Sequence, residues 1–140
     1  MIYLIGSLRN SQMPVIRQTL EDALQEEVFC SWYAAGPEAD DKWMEYEKGR
    51  GLKYTEALYD YAAQHVYRFD KNHIERSDRV VLAYPAGRSG HLELGYAIGY
   101  GKPGFVLLDK EPERWDVMLA FADGVFMSVD ELIEELRGDQ

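Results

Sequence analysis

The chain has a single cysteine, Cys30, so no disulfide can close within it. No apolar run approaches the roughly 18 residues a membrane-spanning helix needs, and no basic segment leading into an apolar stretch opens the sequence. These absences set the expectation of a soluble, cytoplasmic protein. Basic residues are scarce: 15 Lys and Arg stand against 25 Asp and Glu, a formal charge of -10. Such a balance repels nucleic acid and anionic membranes, which argues against either as a partner. A small phosphorylated ligand remains compatible only where cations are focused. The three histidines have no cysteines or carboxylates grouped with them at metal-ligand spacing, so no metal site and no cofactor are expected. Internal repeats and low-complexity segments are absent.

What is present is enough apolar material for a core: 46% of 140 residues, the size of one domain spanning 1–140. The chain is organised around Asp78 to Gly101. Val80 to Ala83 is short, apolar and β-branched, as in a strand buried on both faces of a parallel sheet. Pro85 and Gly87 stop it, and a small-residue helix follows, with Glu93 expected in its first turn. The helix dipole would hold a carboxylate there ionised, which makes Glu93 a candidate nucleophile or base; the same placement also serves as a simple dipole partner.

The rest of the chain alternates in the same way. Met1 to Ile5 reads as a strand ending at Gly6-Ser7, and Met13 to Leu24 as a helix capped by Ser11, with Val15, Ile16, Leu20 and Leu24 toward the sheet. A second strand is expected at about Glu27 to Trp32, with Cys30 buried in it. Tyr33 to Gly51 shows no clear period and reads as a long loop, in which Trp43 and Tyr46 either cover a flat ligand or pack the loop down. Tyr54 to Phe69 reads as a helix whose stripe of Tyr54, Leu58, Tyr61, Ala62, His65 and Phe69 is mostly core. Asp70 stands at its end, before a second helical segment, Lys71 to Ser77. Phe105 to Leu108 is another buried strand and Val125 to Met127 a short last one. Ser128 caps a terminal helix with Val129, Leu132, Ile133 and Leu136 on its apolar face.

Strands alternating with helices imply an α/β fold: a flavodoxin-like, doubly wound, five-stranded parallel sheet in the order 2-1-3-4-5. Ligands of such sheets sit beyond the carboxyl ends of the strands where the order reverses, here between strands one and three. Gly6, Ser7, Arg9 and Asn10 then face Gly87, Arg88, Ser89, Gly90 and Glu93 across one crevice, with Tyr3 below. Arg88 either grips an anion beside the helix amides or is a solvated loop residue. His91 is either ligand-facing or structural.

Three segments resemble the nucleoside 2-deoxyribosyltransferase family, including its hydrolytic relatives, the 2'-deoxynucleoside 5'-phosphate N-hydrolases. Tyr3-Leu-Ile-Gly-Ser-Leu-Arg9 is similar to the family's first strand and loop. Asp70 through Asp78-Arg-Val-Val81 is similar to its catalytic aspartate and third strand, and Leu92-Glu-Leu-Gly-Tyr-Ala-Ile-Gly99 to its nucleophile helix. The resemblance implies Glu93 as nucleophile, Asp70 as the carboxylate that orients it and assists base departure, and Tyr3 as the hydroxyl that holds it. It also implies a 5'-phosphate site at Ser7 and Arg9, and a small-molecule nucleoside or nucleotide as substrate. The implied reaction is N-glycosidic cleavage through a covalent glycosyl-Glu93, with the sugar passing to a base or to water. A nucleotide-binding or sensor domain without turnover is the alternative.

The chain departs from that pattern in three places. Ser89 followed by Gly90 stands where the family usually has a glycine four residues before the nucleophile, Arg88 is additional, and Asp116 lies near a serine that the hydrolases contribute from a neighbouring subunit. A homo-oligomer, most simply a dimer, is expected, with the Glu93 helix near its interface. Gly95, Ala97 and Gly99 flatten that helix beside Tyr96 and Tyr100.

Overall fold

The computed structural model describes residues 1–30 and 38–138. Five strands, β1 (Ile2–Ile5), β2 (Val28–Cys30), β3 (Arg79–Ala83), β4 (Gly104–Leu107) and β5 (Gly124–Phe126), form one sheet in the order β2-β1-β3-β4-β5. Every pairing is parallel, with Tyr3 opposite Val80 and Ile5 opposite Leu82 in the central pair. The expected order 2-1-3-4-5 is therefore the observed one. Among the described residues the α-helices are α1 (Met13–Leu24), α2 (Ala39–Gly49), α3 (Tyr54–Ala57), α4 (Tyr61–Arg76), α5 (Arg88–Gly99) and α6 (Val129–Gly138), with a 3-10 turn at Val117–Phe121. Among the described residues no helix is long and apolar enough to cross a membrane.

The two-residue period of a strand divides the core into two layers. Ile2, Leu4, Val81, Ala83, Phe105 and Leu107 face one side, where Leu20 and Leu24 of α1 and Leu132 and Leu136 of α6 cover them. Tyr3, Ile5, Val80, Leu82 and Val106 face the other, against Ile74 of α4 and Leu94 and Ala97 of α5. Alternation thus sends the Tyr3 side chain toward the two helices that carry Asp70 and Glu93. Cys30 is buried as expected.

Several local expectations are corrected. Ser11 does not cap α1; Gln12 occupies that position without a side-chain bond, and the Asn10 carboxamide oxygen accepts from the Gln12 amide at 3.0 Å instead. Val15 is 59% exposed and belongs to the outer face of α1. The expected loop from Tyr33 to Gly51 contains α2, whose inward side chain is the carboxylate Glu47, paired with Arg50 at 2.7 Å, rather than an apolar stripe; residues 31–37 lie outside the described part. Trp43 packs edge-on against Tyr54, and Tyr46 is exposed. The expected helix from Tyr54 is two helices, broken where Asp60 accepts from the Tyr61 amide and caps α4. That helix then runs unbroken through Asp70 to Arg76. Its aromatic stripe is not core: Tyr54, Tyr61, His65 and Phe69 are exposed, and Ile74 is the buried anchor. Ser128 does cap α6, its Oγ accepting from the Glu131 amide at 3.2 Å.

Candidate active site

Two loops bound the crevice at the carboxyl ends of β1 and β3. Gly6 opens the first, and a Cβ there would meet Met13 Sδ at 2.3 Å, so α1 can start this close to the strand only above a glycine. Ser7 Oγ accepts from the Arg9 amide at 3.1 Å and folds the loop tightly. Asn10, only 4% exposed, reaches across with its Nδ2 donating to the Tyr84 carbonyl at 3.4 Å. That bond joins the first loop to the one following β3. Arg9 itself is exposed, with its nearest carboxylate, Asp41 at the start of α2, 4.0 Å away.

The second loop leads from Tyr84 through Pro85 to Gly87, which is the N-cap of α5. Arg88 and Ser89 are exposed at the first turn. Gly90 is buried: a Cβ there would meet Leu82 Cδ1 at 2.9 Å and Ile5 Cγ2 at 3.4 Å. Its lack of a side chain lets α5 lie directly on β1 and β3. Gly90 is therefore a packing position beneath the loop, whereas Arg88 and Ser89 face solvent above it. Gly87 is exposed, with open space where a Cβ would stand.

Because α5 begins at Arg88, Glu93 lies in its second turn, not its first, and the helix dipole is not what sets its state. Burial is. Desolvation raises the Glu93 carboxyl to about 8, the neighbouring Asp70 carboxylate adds to the rise, and a hydrogen bond from the Tyr3 hydroxyl opposes it. Asp70, on α4, is also raised, to about 6, by desolvation, with His73 one turn along working against it. The ring of His73 stacks on Phe29 at 4.0 Å between centroids, and Phe29 stacks in turn on Tyr3 at 5.6 Å. Tyr3, Asp70 and Glu93, distant in sequence, are thus brought together from β1, α4 and α5. Between about pH 6 and 8 the pair carries one proton. Such a pair offers one carboxylate for attack on an electrophilic carbon and one acid for a leaving group.

His91 and Tyr84 are the site residues that sequence reasoning undervalued. The Tyr84 hydroxyl and His91 Nε2 are 2.7 Å apart, and His91 Nδ1 is 2.7 Å from the Gly87 carbonyl. Asp116 caps the 3-10 turn, accepting from the Met118 amide at 2.9 Å; burial pushes the Tyr84 phenol up, and the charges of Asp116 and Asp109 add to the rise. Among the described residues no group of His, Cys, Asp and Glu is arranged to hold a metal ion.

The fold is similar to that of the 2-deoxyribosyltransferase from the psychrotolerant bacterium Bacillus psychrosaccharolyticus, with a TM-score of 0.66 and 17% identity over 94% of this chain and 89% of that one. It is also similar to the CMP N-glycosidase of Clostridium botulinum, with a TM-score of 0.53 and 16% identity over 97% of each chain. No protein-family model and no curated protein matches the sequence. At these identities the likeness is one of fold, and it extends over nearly the whole chain.

Proposed function

We propose that this protein cleaves the N-glycosidic bond of a nucleoside or nucleoside 5'-monophosphate, ribo or deoxyribo, through a covalent glycosyl-Glu93 intermediate. The observation that carries the reading is the half-buried Glu93–Asp70 pair with the Tyr3 hydroxyl against it, at the switch point of the sheet. Both structural neighbours are named for chemistry of this class, one a 2-deoxyribosyltransferase and the other a CMP N-glycosidase.

In this reading the proton that rests on Glu93 first passes to Asp70, and the freed Glu93 carboxylate attacks the anomeric carbon as the bond to the base breaks, its negative charge stabilising the oxocarbenium-like transition state. Asp70 passes a proton to the departing base, and Tyr3 orients the attacking carboxylate. The glycosyl ester is then released to water, which makes the enzyme a hydrolase, or to a second base, which makes it a transferase. Gly6, Ser7, Arg9, Asn10, Gly87, Arg88 and Ser89 line the crevice around the sugar and its 5' substituent. A dimer through the exposed face of α5 belongs to the same proposal, in keeping with the resemblance of the sequence to enzymes whose sites are completed by a neighbour.

The test is incubation with a panel of ribo- and deoxyribonucleosides and their 5'-monophosphates, with and without acceptor bases, followed by chromatography for free base. Wild-type protein should release base, Glu93→Ala should release none while remaining folded, and Asp70→Asn should be slow. Near wild-type turnover by Glu93→Ala would remove the catalytic assignment. Binding without any release of base would instead identify a nucleotide-binding domain.

A further inference from the structure

We propose that Tyr84 and His91 form a clamp that positions the crevice loop from Pro85 to Gly87 and the first turn of α5 that follows it, making both of them positioning residues for the substrate. A carbonyl only accepts, so the proton between His91 and Gly87 sits on Nδ1, which donates to the Gly87 oxygen at 2.7 Å. With the ring proton on Nδ1, Nε2 is the acceptor for the Tyr84 hydroxyl, 2.7 Å away. The two rings meet edge to face at 5.5 Å. Burial, and after it the charges of Asp116 and Asp109, raise the Tyr84 phenol, so the hydroxyl keeps its proton.

The geometry assigns the His91 side chain a larger share in holding Gly87 than the helix itself has. The backbone bond from the His91 amide to the same carbonyl is long, at 3.4 Å, so the imidazole supplies the shorter of the two contacts on the N-cap. Among the described residues no other side chain hydrogen-bonds the backbone of this loop, whose Pro85, Gly87, Arg88 and Ser89 are exposed. The clamp also continues into the first loop. The Tyr84 carbonyl accepts from Asn10 Nδ2, and Asn10 Oδ1 accepts from the Gln12 amide, so one chain of contacts runs from the start of α1 to the start of α5. Neither Tyr84 nor His91 is needed for bond cleavage itself; both set where the first-turn amides of α5 stand.

Two readouts test the clamp, and only the first rests on the proposed activity. In steady-state kinetics on the best substrate, His91→Ala and Tyr84→Phe should each raise KM about five- to tenfold with kcat within about threefold of wild type. The double variant should be no worse than His91→Ala alone, because both changes break one chain. The second readout is nitrogen-15 NMR of the protein without ligand. Wild type should show His91 protonated on Nδ1 and ordered amides at Gly87, Arg88, Ser89 and Gly90, and Tyr84→Phe, which removes one hydroxyl, should leave those amides mobile on the picosecond-to-nanosecond scale. Loop amides equally ordered in wild type and both variants would overturn the clamp. So would an equal loss of kcat and kcat/KM with order retained. If wild type releases no base from any substrate, the catalytic reading falls and the NMR result alone decides the clamp.

Discussion

Glu93 and Asp70 show how much environment adds to residue type. The sequence marks Glu93 through its place after a strand and a glycine-rich turn, and the family resemblance supplies Asp70 and Tyr3, but neither reveals that both carboxyls are buried enough to hold protons near neutrality. With Glu93 raised to about 8 and Asp70 to about 6, the shared proton rests on Glu93, and the singly protonated pair attacks and donates once that proton has moved to Asp70. We therefore expect kcat/KM to follow a bell between those limits. Asp70→Asn removes the neighbouring negative charge, so the limb belonging to Glu93 should move to lower pH; a flat profile from about pH 5 to 9 would count against the pair. Stability should respond as well. The folded protein keeps on Glu93 a proton that the unfolded chain releases near 4.5, so stability falls as pH rises from there through about 8. At about 1.4 kcal/mol per unit, the loss is on the order of a few kcal/mol. Glu93→Gln, which cannot ionise, should melt well above wild type at pH 9 and within about 2 °C of it at pH 5. Equal melting temperatures at both values would mean that Glu93 is not buried as described.

At the level of elements, strands were easier to read than helix ends. The apolar runs at Val80 to Ala83 and Phe105 to Leu108 mark β3 and β4 to within a residue of their ends, because a strand covered on both faces leaves an uninterrupted apolar signal. Helix α2 left no such signal: its inward side chain is Glu47, matched to Arg50, so charge pairing stands where apolar periodicity would have. The start of α5 was misplaced for a different reason. Gly90 looks like part of a turn, yet it is inside the helix, and only the close approach to Leu82 and Ile5 explains it. A larger side chain there must displace the Leu82 and Ile5 side chains or push α5 off the sheet, carrying Glu93 with it. Gly90→Val should accordingly lower stability by about 1–3 kcal/mol, read from denaturant unfolding, and cut base release more than that loss of folded protein accounts for. A Gly90→Val protein as stable and active as wild type would show that the helix does not need this contact. Arg79 is a second element-level feature that strand periodicity concealed: buried in β3, it donates to Glu26 at 2.6 Å and to the Leu136 carbonyl at 2.7 Å, tying β3 to the segment before β2 and to α6.

For the whole molecule, two of the three small residues expected to flatten the Glu93 helix, Gly95 and Gly99, are exposed, whereas Ala97 is buried against the sheet. The structure leaves open space where a Cβ at either glycine would stand, so neither packs against its own sheet. Between them the outer face of α5 presents Leu92, 75% exposed, together with Tyr96 and Tyr100. Tyr96 is held by α4, its hydroxyl donating to Glu75 with Lys71 over its ring. A fixed aromatic beside bare glycines permits the close helix approach of a two-fold interface, and Trp115, Val117 and Phe121 are further exposed apolar side chains of the molecule. The charge of -10 opposes self-association, so the apolar face must outweigh it, and salt should favour the dimer by screening that repulsion. Light scattering at micromolar concentration should give twice the mass of one chain. Leu92→Glu places a charge at the centre of the face without touching the core, and should shift the protein to monomer while its circular dichroism is unchanged. A single-chain mass for wild type at every concentration and salt level would refute the assembly, and would leave Trp115 and its neighbours as surface of a monomer.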